Sequence, residues 1–190
     1  MPLVKIMNRK LLILDLDETL IFASETPLER PADFHAGQYH VYRRPWVSEF
    51  LAFAHENFEV AAWTSSSPSY AEAVVPNLFP RDYPLSFVWN RRRCTTVFDA
   101  ETHEHIHVKD LRKVKRRGYR LESVIMLDDT PEKLMRHYGN HLRLAPFTGD
   151  PLDRELLDIQ PFLLHLSEQD NIRQIEKRKW RTFDLTGQGR

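Results

Sequence analysis

Leu11-Leu12-Ile13-Leu14-Asp15-Leu16-Asp17-Glu18-Thr19-Leu20 is the stretch around which the rest of the chain is read. Four aliphatic residues in a row describe a buried strand, and they stop at two carboxylates one residue apart, with a hydroxyl two positions further on. A carboxylate is costly to bury, so Asp15 and Asp17 belong at the rim where the strand emerges. So close together, they repel each other unless a cation or a proton lies between them. A hard divalent ion with oxygen ligands meets that need, and Mg²⁺ keeps positions open for water and a phosphate oxygen. One carboxylate can then act as nucleophile and the other as acid or base. The same spacing also fits a strand ending in a solvated acidic turn, and the remaining sequence has to choose.

Two further strands end in the same way. Phe58-Glu59-Val60-Ala61-Ala62-Trp63 stops at Thr64-Ser65-Ser66-Ser67-Pro68, where hydroxyls followed by proline predict an N-cap and a helix over 69–75. Free N–H groups at such a helix start suit an anion, although capping alone accounts for the hydroxyls. Val124-Ile125-Met126-Leu127 stops at Asp128 and Asp129, and Thr130-Pro131 predicts a helix over 132–138 ended by Gly139-Asn140. Strands alternating with helices predict an α/β fold with a doubly wound parallel sheet. Ligands of such sheets bind at the carboxyl ends of the strands. Asp15/Asp17, Thr64/Ser65 and Asp128/Asp129 would therefore meet on one edge, two acid pairs for a cation beside hydroxyls for an anion. Lys109 offers an ammonium to neutralise a phosphate or to keep a nucleophilic carboxylate ionised; a plain surface charge is the alternative.

The rest of the chain is read around that edge. Residues 3–7 form a strand ahead of the central one, residues 21–37 a loop or small flap, and residues 38–43 a strand. Pro45 opens a helix whose apolar face is Trp46, Phe50, Leu51 and Phe53. Residues 85–89 and 103–108 are expected to pair around 91–94, and 142–145 is a short strand. Asp150-Pro151 opens the last strong helix, with Leu152, Leu156, Leu157, Ile159, Phe162, Leu163 and Leu166 as its buried face. The domain is expected over 1–168. A polar C-terminal extension, 169–190, follows, with a basic tail segment at 177–181 and a frayed end at 186–190. His103, His105 and His107 alternate near Cys94 and invite zinc, yet a solvated hairpin face needs no metal. Arg91-Arg92-Arg93 and the basic residues of 112–120 suggest a patch for an acidic or phosphorylated partner, with solvated charge the preferred reading.

Composition narrows the classes. A chain of 190 residues with 42% apolar and 28% charged residues suits one well-cored soluble domain. Lys+Arg and Asp+Glu both number 27, so global charge gives no case for nucleic acid or a membrane surface. Cys94 has no cysteine to pair with, no apolar run has the length of a membrane span, and no signal-peptide pattern is present. The expectation is a cytoplasmic protein, nuclear if eukaryotic, and a monomer by default.

Asp15-Leu16-Asp17-Glu18-Thr19-Leu20, Thr64 after a strand, Val108-Lys109-Asp110-Leu111 and Leu127-Asp128-Asp129 reproduce, in order, the four motifs of the haloacid dehalogenase superfamily. More narrowly, the chain resembles the RNA polymerase II C-terminal-domain phosphatases, also called NLI-interacting-factor-like phosphatases. Arg44-Pro45, Val47, Glu49-Phe50-Leu51 and Glu155-Leu156-Leu157-Asp158-Ile159 with Pro161-Phe162 add to the likeness, which covers about residues 9–168. The resemblance implies a Rossmann-like sheet with a minimal cap and a small β-hairpin insertion. It implies a Mg²⁺-dependent phosphomonoesterase in which Asp15 becomes an aspartyl-phosphate. Asp17 would serve as acid and base, oriented by Thr19. Thr64, with Ser65 beside it, and Lys109 would hold the phosphoryl group. The metal would lie on Asp15, the backbone carbonyl of Asp17 and one of Asp128/Asp129. The flap is shorter than in the family's eukaryotic members, so an open site for a phosphoprotein or phosphopeptide, at serine or threonine, is expected. Phe34, Tyr39 and Val41 would line a reduced apolar pocket. A phosphatase of small phosphorylated metabolites and a non-catalytic phosphate-binding module are the alternatives.

Overall fold

The computed structural model describes residues 9–100 and 103–183. The strand expected at 3–7 and the end at 186–190 lie outside those residues. In chain order the elements are β1 (Leu11–Leu14), β2 (Ile21–Ser24), β3 (Phe34–Ala36), β4 (Tyr39–Arg43), α1 (Val47–Asn57), β5 (Glu59–Trp63), α2 (Pro68–Leu78) and β6 (Leu85–Trp89). They continue with β7 (Thr95–Asp99), β8 (Glu104–Val108), α3 (Arg112–Lys115), β9 (Val124–Asp128), β10 (His141–Arg143), α4 (Glu155–Asp158) and α5 (Gln160–Glu168). Five strands form one sheet in the order β10-β9-β1-β5-β6, and every pairing in it is parallel.

The aliphatic runs are central because both faces of the sheet are covered. Leu12 and Leu14 point to one side, where Val60, Ala62, Ile125 and Leu127 meet Phe50, Val74, Leu156 and Leu163 from the helices. Leu11 and Ile13 point to the other, where Ala61, Trp63, Val124 and Met126 meet Val114 and Leu134. The period of two along each strand thus splits one apolar run between two cores.

The expected flap is a three-stranded antiparallel sheet, β2-β4-β3, beside the mouth of β1. Gly37, at φ 61, supplies the left-handed residue of its tight β3–β4 turn. Among the described residues no helix is long and apolar enough to cross a membrane.

Several expectations change. Strand 85–89 does not pair with 103–108: β6 follows α2 and joins the main sheet beside β5, while β8 pairs with β7. His103 lies outside β8 at φ 58, so the three histidines do not share one strand face. The helix expected at 132–138 is a single 3₁₀ turn, Pro131–Leu134. The Lys133 carbonyl is taken by the Lys109 N–H at 2.7 Å and the His137 N–H turns to Leu134, so no α-helical ladder can propagate. The last helix starts at Glu155, because Asp153 is drawn onto Arg44 and accepts the Glu155 N–H; Leu152 is left 82% exposed. Nor are residues 177–181 a loose basic tail. Lys177 and Trp180 are buried, and the Trp180 indole donates to the Arg143 carbonyl at 2.9 Å.

Candidate active site

The register of the sheet fixes where the acids meet. Leu14 pairs with Leu127, and the Asp15 N–H continues the ladder by donating to the Leu127 carbonyl at 3.0 Å. Asp15 and Asp128 are therefore neighbours on adjacent strand ends, and Asp129 follows. Carboxylate oxygens of Asp15, Asp128 and Asp129 lie within 4.8 Å of one another. All three residues are buried, so Asp15 lies at the strand end as expected but is enclosed there, against the solvated acidic turn. Two ammonium groups offset the desolvation. Lys109 Nζ, wholly buried after β8, lies 2.7 Å from Asp15 Oδ1 and 2.7 Å from Asp128 Oδ2. Lys133 Nζ, on the 3₁₀ turn after β9, lies 3.0 Å from Asp15 Oδ2, 3.5 Å from Asp128 Oδ1 and 3.6 Å from Asp129 Oδ1. Burial alone would lower the Lys133 pKa, but the three carboxylates together raise it above its ordinary value.

Asp17 faces away from this cluster. Its Oδ2 accepts from Ser66 Oγ at 2.8 Å and Thr64 Oγ1 at 3.3 Å, and its Oδ1 accepts from the Tyr70 hydroxyl at 2.5 Å. Burial, then the Asp17 charge, push the Tyr70 phenol far above its ordinary pKa, so it remains a donor. Thr19, expected to orient Asp17, instead places its hydroxyl 3.4 Å from Asp129 Oδ1. Glu18 adopts φ 58 and the N–H groups of Leu20 and Ile21 fold back onto the Leu16 carbonyl; within this turn Thr19 ends up fully buried beside the acid cluster. Ser65 is half-buried and its carbonyl accepts from Arg91 Nε at 2.7 Å. Ser67 caps α2 by accepting the Tyr70 N–H, which fixes the tyrosine over Asp17.

A cleft of about 410 Å³ opens beside Asp17 and is lined by Ala23, Tyr39, Ser66, Ser67, Tyr70 and Arg91. Tyr39 and Tyr70 meet edge to face at 5.8 Å on its wall. Of the apolar pocket expected from Phe34, Tyr39 and Val41, Tyr39 alone lines this cleft; Val41 is wholly buried in the core and Phe34 packs against it.

Two supports were not legible. Arg44 is 1% exposed and ties the loops around the acids together. It makes two 2.8 Å bonds to the Asp153 carboxylate and donates to the carbonyls of Thr19 at 3.0 Å and Ala145 at 2.9 Å. Asp110, next to Lys109, accepts from Arg112, Arg136 and His137. The Arg112 bonds, chiefly, hold the Asp110 carboxyl well below the usual range against the opposing effect of burial.

The model of the family described as NLI interacting factor-like phosphatase matches residues 10–173. The chain belongs to that family. Among curated members it is 36% identical over 167 residues to CTD small phosphatase-like protein 1 of Caenorhabditis elegans, covering 84% of this chain and 32% of that protein. It is 32% identical over 172 residues to a probable C-terminal domain small phosphatase of Dictyostelium discoideum, covering 86% of this chain and 53% of that protein. The chain thus spans about a third to a half of the length of these relatives. Among solved structures it is similar to Fcp1, described as an essential RNA polymerase II CTD phosphatase. The TM-score is 0.57 at 19% identity, over 83% of this chain and 49% of that one, a likeness of fold. The α/β sheet expected from the sequence is the family's fold.

Proposed function

We propose that this protein is a Mg²⁺-dependent phosphomonoesterase that removes phosphate from serine or threonine of a polypeptide through an aspartyl-phosphate on Asp15. The observation that carries the reading is the state of Asp15 itself. Its Oδ1 is buried and faces the fixed Lys109 ammonium at 2.7 Å. A carboxylate oxygen at a strand end beside a fixed positive charge is what an attack on phosphorus requires.

The donor set fits a hard divalent ion: oxygens of three buried carboxylates converge within 4.8 Å of one another. Asp15, Asp128 and Asp129 are the side chains that would hold Mg²⁺. When bound, the ion would polarise the phosphoryl oxygens and screen their charge from the acids. The remaining roles belong to the chain. An Asp15 oxygen attacks phosphorus, the bond from phosphorus to the ester oxygen breaks, and Asp17, having taken a proton from solvent, gives it to the leaving oxygen. Water then attacks phosphorus, Asp17 takes its proton, and cleavage of the acyl-phosphate bond frees phosphate and Asp15. Lys109 and Thr64 hold the transferring group, Ser65 follows Thr64 in the loop before α2, and Thr19 holds Asp129. Tyr70 and Ser66 position Asp17 for both proton transfers.

The open aromatic cleft beside Asp17, with no domain closing over it among the described residues, favours a side chain on a polypeptide over a small metabolite. Relatives are named as C-terminal-domain phosphatases, in keeping with such a substrate. The site lies in the cytoplasm or nucleus on this reading. The test is hydrolysis of an aryl phosphate and a phosphoserine peptide with Mg²⁺ or with EDTA, using Asp15→Asn as control. Turnover lost by at least a thousandfold in EDTA and in the variant is expected; phosphate binding without turnover would make the protein a binding module.

A further inference from the structure

The sequence holds two basic runs, residues 91–93 and 112–120, and the fold brings part of each to one groove. Arg92, Arg93, Lys113, Arg116 and Arg117 line a cavity of about 300 Å³ floored by Trp89. The chain as a whole has as many acids as bases, yet this cavity is lined by five cations and no carboxylate. Among the described residues none of the five forms an ion pair. Arg112 and Arg136, by contrast, are consumed by Asp110.

Three of the five cations are held rather than loose. The Arg93 guanidinium lies over the Trp89 ring at 5.3 Å, and that of Arg117 over Phe87 at 5.0 Å and over Trp89 at 5.9 Å. Lys113 Nζ donates to the carbonyls of Arg93 at 2.8 Å and Cys94 at 3.2 Å, so the two runs are stapled together. Guanidinium groups fixed on an aromatic floor lose less entropy on meeting an anion, and their forks match phosphate or carboxylate.

One turn joins this groove to the catalytic cleft. Arg91 lines the cleft beside Asp17, while Arg92 and Arg93 of the same 3₁₀ turn line the groove. Adjacent residues of one turn thus line both, so the groove adjoins the cleft along the path of an extended peptide.

We propose that this groove is a second anion site that takes an acidic or phosphorylated side chain of the polypeptide whose phosphoresidue is bound at Asp15. The inference rests on the phosphatase reading for its substrate and adds to it a preference: substrates with a second negative group a few residues from the scissile phosphate. Adjacency to the cleft through the turn of Arg91, Arg92 and Arg93 favours an anion on the same polypeptide over a separate nucleic-acid strand.

The test pairs binding with turnover in the full chain. Three peptides of one sequence are compared, with a single phosphoserine, with a second phosphoserine two to four residues away, and with glutamate in that second place. Arg92→Ala/Arg116→Ala removes two exposed charges that support no ring stacking. For wild type, fluorescence anisotropy should show at least tenfold tighter binding of the doubly phosphorylated peptide than of the single one, with the glutamate peptide between them. The double variant should lose most of that difference, show a raised KM on the doubly charged peptides alone, and hydrolyse an aryl phosphate at the wild-type rate. Absent aryl phosphate turnover would count against the phosphatase reading alone, because the anisotropy comparison needs no chemistry. Equal affinity for the three peptides, or tighter binding of a single-stranded oligonucleotide than of the doubly phosphorylated peptide, would overturn the second site. Loss of binding to all peptides alike in the double variant would overturn it too.

Discussion

On the Mg²⁺ reading proposed above, Lys133 and the metal ion would compete for one place. The Lys133 ammonium faces Asp15, Asp128 and Asp129 at 3.0, 3.5 and 3.6 Å, the same carboxylates that converge as a cation site. Its side chain is 17% exposed, so it has a way out toward solvent, whereas Lys109 is fully enclosed. With both lysines in place, three carboxylates face two ammonium groups. Withdrawal of Lys133 and entry of a dication would make the cluster neutral. The withdrawn lysine gives up one aligned, charge-assisted bond, to Asp15 Oδ2; the other two contacts are too long to be strong. Such a bond is worth about 1.5–3 kcal/mol, which competes directly with metal binding. Lys133→Met should therefore bind Mg²⁺ tighter than wild type by about 10- to 150-fold, and Lys133→Arg should not. Calorimetric titration of Mg²⁺ into metal-stripped protein reads this without reference to turnover. The Met variant should also melt earlier than wild type in EDTA and recover with Mg²⁺, since only Lys109 would remain to separate the acids. Mg²⁺ affinity in Lys133→Met within twofold of wild type, or weaker, would refute the competition.

Two other outcomes follow from buried charge. Arg44→Met should cost about 3–5 kcal/mol in urea unfolding, because it strands the Asp153 carboxylate and leaves the Thr19 and Ala145 carbonyls without their donor; a loss under 1 kcal/mol would show that these loops are held otherwise. Burial, chiefly, lowers the Lys177 pKa from 10.5 to about 8. The unfolded chain then binds this proton more tightly than the folded one. The penalty is complete below pH 8 and is relieved as pH rises from about 8 to 10.5, by about 3 kcal/mol. Over that window wild type should gain stability relative to Lys177→Met, whose own profile cancels the tyrosine titrations; parallel profiles would contradict the burial argument.

The fold was legible where one physical effect dominated. Leu11–Leu14 and Val124–Asp128 are runs that only a two-sided burial tolerates, and both are central strands of the sheet. Legibility failed where a side chain or a distant carbonyl outcompeted local preference. Residues 132–138 have a proline start and a Gly-Asn stop, yet the Lys133 carbonyl serves the N–H of Lys109, just past β8, and the helix never forms. Leu152 sits in phase with an apolar face, but Asp153 answers to Arg44, 109 positions earlier. Thr95–Asp99 offers five residues of modest polarity, and only its pairing with β8 makes it a strand. No local pattern announces such partners.

The site divides along the same line. Motif positions say which backbone points converge, since strand ends and register are set by burial; they do not say which way a side chain turns once there. Asp17 turns to Tyr70 and Ser66, two hydroxyls on and before α2 whose alternation with Ser67 reads locally as capping. Thr19 turns to Asp129. The basic run 112–120 shows the limit most clearly. Arg112 and Arg116 lie four residues apart on one short helix and its edge, with the same charge and similar exposure. Asp110 takes Arg112 because it accepts that residue's backbone N–H as well as its guanidinium, while Arg116 forms no ion pair among the described residues. One arginine therefore braces the residue beside Lys109, and the other is left to an outside anion. Charge counting along the chain cannot separate these fates, because what decides between them is the placement of a single buried carboxylate.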